Sequence, residues 1–145
     1  MFHSGPTSGV LMAWWRTGDE EHADERFERA GLNSLGLYVR AGSWCMRQVR
    51  YRPEDEIPAE WFVPDYVVRG WRSQRLAAGL VREGIWGRVE GGYNFAWILP
   101  RNTADEVRRE RKRERQKWEA KQARARAAQR ANSPGESPPT PQGEV

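Results

Sequence analysis

Four polar side chains in the stretch Arg72-Ser-Gln-Arg-Leu-Ala-Ala-Gly-Leu-Val-Arg-Glu-Gly84 are suited to reading bases: Arg72, Gln74, Arg75 and Arg82. At helical spacing Leu76, Ala77, Leu80 and Val81 fall on one face, which turns those four residues, with Ala78 and Gly79, to the other. An arginine matches guanine with two parallel hydrogen bonds, a glutamine matches adenine, and a major groove about 12 Å wide accepts one helix. Small residues in the middle of that face allow a second surface to come close. After Gly84, Ile85, Trp86 and Val89 alternate with Tyr93, Phe95 and Trp97 around Glu90-Gly-Gly92, the pattern of a hairpin with a Gly-Gly turn. Arg88, Gly91 and Gly92 then add a cation and a bare backbone where a phosphate can approach. A helix over about 72–83 followed by a hairpin over about 85–98 has the order of a recognition helix and its wing. Helix-hairpin units also serve protein binding, and that alternative stands beside it.

A second basic group follows: Arg108, Arg109, Arg111, Lys112, Arg113, Arg115 and Lys117. On a helix these cations point in every direction, which suits attraction to phosphates without sequence reading. A merely solvated charged helix is the competing reading, strengthened by Glu110, Glu114 and Glu119. Trp118 is the odd residue there and reads as a docking point. The charge is unevenly divided. Residues 1–100 carry 12 Lys/Arg and 13 Asp/Glu, residues 101–131 carry 12 and 5, and residues 132–145 carry two acids and no base. Since dedicated DNA readers usually present a positive domain, the net −1 of the first hundred residues keeps a protein-interaction role open.

Other chemistries lack their residues. The acids of 19–28 and 54–60 read as solvated charges, and no phosphate loop, nucleophile elbow or histidine-based constellation is present. No catalytic residue and no cofactor is expected. One cysteine, Cys45, excludes an internal disulfide, and with only His3 and His22 beside it no zinc set can be assembled. No apolar run reaches the 18 residues of a membrane span, and Val10-Leu-Met-Ala-Trp-Trp15 is too short and lacks a basic flank for a signal sequence. A cytoplasmic protein with no membrane partner is expected.

The elements that must position these residues are read from periodicity and punctuation. Residues 1–11 have turn chemistry without a period and read as a flexible N-terminus, with Met12 as an alternative start to Met1. Residues 12–100 form the expected domain, in which seven of the eight tryptophans serve mainly as core. A first helix runs from Thr17 to Ala30, capped by Gly31. A second spans about 33–48 with Leu35, Tyr38, Val39, Gly42, Cys45 and Met46 on its buried face. Residues 51–60 read as a loop with a short strand near Ile57 or Phe62. Val63-Pro-Asp65 opens a short helix that ends at Gly70, which suits the turn of a helix-turn-helix. Pro100 closes the domain. Thr103-Ala-Asp-Glu106 is a capping box for a basic helix over 101–131 that has no apolar stripe with which to join the core. Residues 132–145, rich in Ser, Pro and Gly, read as a disordered tail. The expected class is mainly α with a small β-hairpin, a winged helix-turn-helix followed by an extended basic α-helix.

The order Ala13-Trp-Trp-Arg-Thr-Gly-Asp19, Ala30-Gly-Leu-Asn-Ser-Leu-Gly-Leu37, Ala41-Gly-Ser-Trp-Cys45, Phe62-Val-Pro-Asp65, Leu76-Ala-Ala-Gly-Leu-Val81, Gly84-Ile-Trp86 and Gly92-Tyr-Asn-Phe-Ala-Trp97 ahead of a basic helix resembles a known group. It is similar to the small helix-turn-helix proteins of actinobacterial phages and prophages, of the replication-initiation or replisome-organiser type. The resemblance covers about residues 12–117. It departs after the wing, where similar proteins have His-Asp-Trp and a Tyr-Gln-Pro step in place of Phe95-Ala-Trp-Ile-Leu-Pro100, and the acidic loop at 54–60 is enlarged. It implies a role in phage or prophage replication initiation in a bacterial host cell, with double-stranded DNA, expected from the helix-wing unit and the basic segment, as partner; the alternative, motivated by the domain's charge, is an interaction module for a helicase or primase. A transcriptional regulator shares every feature used here.

Overall fold

The computed structural model describes residues 14–132, so the expected N-terminal segment and C-terminal tail lie almost wholly outside the described residues. The chain divides into a first unit ending at Arg111 and a second beginning at Lys112.

The first helix, α1 (Glu25–Ala30), is shorter than expected, because Asp24 takes extended dihedrals and its Oδ1 accepts the amide of Arg26 at 2.8 Å. That cap breaks the predicted 17–30 helix. Ahead of it a single 3-10 turn, Glu21–Ala23, holds Glu21, which is buried rather than solvated and accepts the amide of Gly18 at 2.8 Å. Gly31, at φ 101°, ends α1 and opens α2 (Leu32–Gln48) without a spacer.

The buried stripe of α2 runs through Ser34, Leu37, Tyr38, Ala41, Gly42, Cys45 and Met46, while Leu35 and Val39 lie on its flank. The stripe is therefore rotated from the expected one. Its centre is Tyr38, fully buried in an aromatic cluster with Phe27 at 4.9 Å, Phe95 at 5.5 Å and Trp15 at 5.6 Å between centroids. Gly42 is obligatory beneath Trp15, since a Cβ there would lie 2.2 Å from the indole. Cys45 is buried, and burial pushes its thiol up to about 12, which suits a small core residue. Among the tryptophans before Pro100, Trp61 and Trp86 are buried, four pack partly against the core, and Trp14 is exposed.

The chain continues through a 3-10 turn, Glu54–Glu56, to β1 (Phe62–Pro64), α3 (Asp65–Gly70), α4 (Gln74–Arg82), β2 (Trp86–Val89) and β3 (Gly92–Phe95). The strands form one antiparallel sheet in the order β1-β3-β2, with Val63 opposite Tyr93 and Trp86 opposite Phe95. Val63 and Pro64 thus belong to a strand and not to the short helix. Pro64 is tolerated because β1 lies at the sheet edge.

Beyond Pro100 the first unit continues to Arg111. Helix α5 (Ala104–Asn132) starts at Thr103, whose Oγ1 accepts the amide of Glu106 at 3.2 Å. Its first turns bury Ala104, Val107 and Arg111, a stripe at steps of three and four residues that joins the core. The stripe escapes notice in the sequence because one member is an arginine. Just before the helix Asn102, fully buried, clamps Arg16 by accepting its amide at 2.9 Å and donating to its carbonyl at 2.6 Å. The Asn102 carbonyl in turn accepts the Trp61 indole N–H at 2.6 Å.

Candidate nucleic-acid interface

Helix α3 ends in a bond pattern that places the candidate residues. The amide of Ser73 donates to the Val68 carbonyl at 3.0 Å and that of Arg72 to the Arg69 carbonyl at 2.9 Å, and Arg72 stands at φ 54°. This is a Schellman closure with an arginine in the left-handed position where glycine is the usual occupant. Gly70, the expected turn residue, is the last residue of α3. Arg72 consequently sits in the turn, and α4 begins two residues later than expected.

On α4, Ala77 and Leu80 are fully buried, while Gln74, Arg75, Ala78 and Arg82 are exposed. Gly79 departs from expectation by facing inward: a Cβ there would meet Ser34 Oγ at 3.3 Å and the Ala30 carbonyl at 3.8 Å. Close approach is used against α1 and α2, and the Ser34 hydroxyl completes that contact by donating to the Leu76 carbonyl at 3.0 Å. No side chain caps the first turn of α4.

The arginines differ in their commitments. The side chains of Arg72 and Arg75 make no hydrogen bond or ion pair among the described residues. Arg69, exposed three residues before Arg72, extends the same end of α3, and no motif in the sequence marks it. Arg82 Nε donates to Glu83 at 3.2 Å, and Glu83 also accepts Arg29 at 2.7 Å, which holds its carboxyl below the usual range.

Arg88 is a staple within the fold rather than a free phosphate ligand. Its guanidinium pairs with both carboxylate oxygens of Asp65, donates to the Gly92 carbonyl at 2.9 Å and lies 4.4 Å over the Tyr93 ring. The pairing depresses the Asp65 carboxyl and ties the hairpin to the start of α3. The Asp65 amide adds a bond to the Gly91 carbonyl at 2.9 Å. Val89 pairs with Gly92, so the turn is Glu90-Gly91 and not Gly-Gly, with Gly91 alone left-handed at φ 81°. Gly91 is exposed at the tip, whereas Gly92 is buried beneath Phe62 and lacks room for any Cβ, the Val63 carbonyl standing 2.3 Å away. Phe62, Tyr66 and Val89 remain exposed.

The basic segment splits in the same way. Arg108 donates to the Pro58 carbonyl and to Asp105, and Arg109 to Glu106 at 3.0 Å. Arg111 is buried, with Nε on the Arg52 carbonyl at 2.8 Å and a terminal nitrogen on the Val49 carbonyl at 2.9 Å. It is a structural residue, and its expected phosphate contact is corrected accordingly. Lys112, Arg113, Arg115 and Lys117 belong to the second unit and are exposed. Among the described residues no group of three or more His, Cys, Asp or Glu gathers as a metal site, and no helix is long and apolar enough to cross a membrane. Compared with protein-family models, curated proteins and solved structures, the chain shows no significant match to any of them.

Proposed function

We propose that the chain binds double-stranded DNA through a winged helix-turn-helix, with α4 as recognition helix, the β2-β3 hairpin as wing and the basic part of α5 as a phosphate-contacting arm. The observation that carries this reading is the element order α2-β1-α3-α4-β2-β3 with sheet order β1-β3-β2. That order is the one a wing requires, and it leaves Gln74, Arg75 and Ala78 exposed on α4 with Arg72 unpaired in the turn before it. Gln74 and Arg75 are the base readers. Arg72 and the uncapped first turn of α4 hold phosphate.

Charge divides the labour. Residues 14–111 carry sixteen Lys/Arg and sixteen Asp/Glu, whereas residues 112–132 carry eight and two. Affinity then comes chiefly from the arm and orientation from the domain. Resemblance to phage and prophage replication-initiation proteins supports a role at a replication origin. A second reading, a docking module for a helicase or primase, is favoured by the exposed Phe62, Tyr66 and Val89 beside a wing whose arginine is already engaged.

Titrating a labelled duplex at several salt concentrations tests the proposal. About five or six phosphate contacts predict a slope of log K against log salt of roughly −4 to −6. Absence of binding at low salt refutes double-stranded DNA as the partner.

A further inference from the structure

Trp118 is 44% exposed, while the core indoles of Trp61 and Trp86 are 4% and 1% exposed. Trp118 lies outside the hydrophobic core cluster, and its surroundings narrow what it can meet. Its helical neighbours three and four residues away are Glu114, Arg115, Lys121 and Gln122, none of them apolar. A protein-docking patch needs a cluster of apolar side chains, whereas a base needs one ring face. Charge points the same way. Glu114 faces Lys117 at 3.7 Å and Glu119 faces Arg115 at 3.6 Å, and no acid occurs between 120 and 132. Lys117, Lys121 and Arg124, at i, i+4 and i+7, form an exposed row beside Trp118, the outer two separated by about 10 Å along the axis.

We infer that residues 112–132 bind single-stranded nucleic acid, with Trp118 stacked on an unpaired base and Lys117, Lys121 and Arg124 along the backbone. The inference rests on the proposed nucleic-acid role of this helix and adds unpaired strand to its targets. Duplex bases are already stacked on each other and offer the indole no open face. Trp118 therefore discriminates between strand forms where the cations cannot.

The test measures fluorescence anisotropy of labelled oligothymidylate of about 20 nucleotides and of a duplex of similar length, with the full chain and its Trp118→Ala and Trp118→Phe variants. Loss of one stacked base predicts that Trp118→Ala weakens single-strand binding roughly 5- to 150-fold while Trp118→Phe retains most of it. Duplex binding changes less than about 2-fold for both, because its cationic contacts are kept. Equal losses on the two probes, an equal loss for Phe and Ala, or no loss at all overturns the stacking role. Absence of single-strand binding by the full chain likewise overturns it. Absence of duplex binding by the unmodified full chain, with single-strand binding kept, refutes the proposed function and leaves the single-strand result standing.

Discussion

Replacing Arg111 with alanine tests where the folded unit ends. The guanidinium is buried and joins the third turn of α5 to the end of α2 through the carbonyls of Val49 and Arg52. After truncation the Val49 carbonyl keeps the Arg52 amide at 3.0 Å, while the Arg52 carbonyl loses its side-chain donor. Each hydrogen bond from a charged group contributes about 1.5–3 kcal/mol. Against this, burial lowers the pKa of Arg111, so removing the ion also relieves a desolvation cost. The balance, with the lost packing of the stem, is a destabilisation of about 2–4 kcal/mol. Urea unfolding followed by tryptophan fluorescence reads it, since Trp61 and Trp86 leave buried sites on unfolding. A midpoint lowered by on the order of 2 M with unchanged slope is expected. Lys112→Ala, one residue along and exposed, should stay within about 0.5 kcal/mol of the parent. If the two variants unfold together, Arg111 is solvated and the domain closes before α5.

Two further outcomes follow from the hairpin and the carboxylates. Gly92→Ala should cost about 2–3 kcal/mol in thermal or urea unfolding because the β1 backbone must move, against about 1 kcal/mol for Gly91→Ala, which strains only a left-handed dihedral; equal costs would contradict the register of β1 on β3. Asp24, Asp65 and Glu83 have carboxyls lowered by Arg26, Arg88 and Arg29, so the folded chain binds fewer protons than the unfolded one just below about pH 4. The stability these pairs supply is therefore complete above the ordinary carboxylate range and lost as pH falls through the depressed values, and Asp24→Asn should unfold with a shallower acid limb; an unchanged limb would show that the pair is not formed.

Helix α2, helix α4 and the hairpin are legible in the sequence because apolar periodicity and glycine punctuation are local signals. The misreadings share a different origin. Arg111 and Arg88 look like surface cations until the chain brings the Val49 and Arg52 carbonyls to one and Asp65 to the other, partners 62, 59 and 23 residues away. Arg72 is displaced into the turn because the Schellman closure takes a non-glycine residue, which no composition rule favours. Gly92 and Gly79 read as open sites and prove to be contact points for β1 and α2, since the surface opposing a glycine is set by tertiary packing. What survives of the candidate interface is narrower: Arg72, Gln74 and Arg75 with the Gly91 tip, and the cations beyond Arg111.

Backbone amide shifts recorded while duplex DNA is added to isotope-labelled protein locate the contact residue by residue. DNA recognition through α4 and the β2-β3 hairpin predicts the largest shifts at Arg72–Ala78 and Gly91, together with broad changes over 112–132. Shifts confined to 112–132, with α4 unmoved, would contradict it and leave the domain a scaffold for a basic arm.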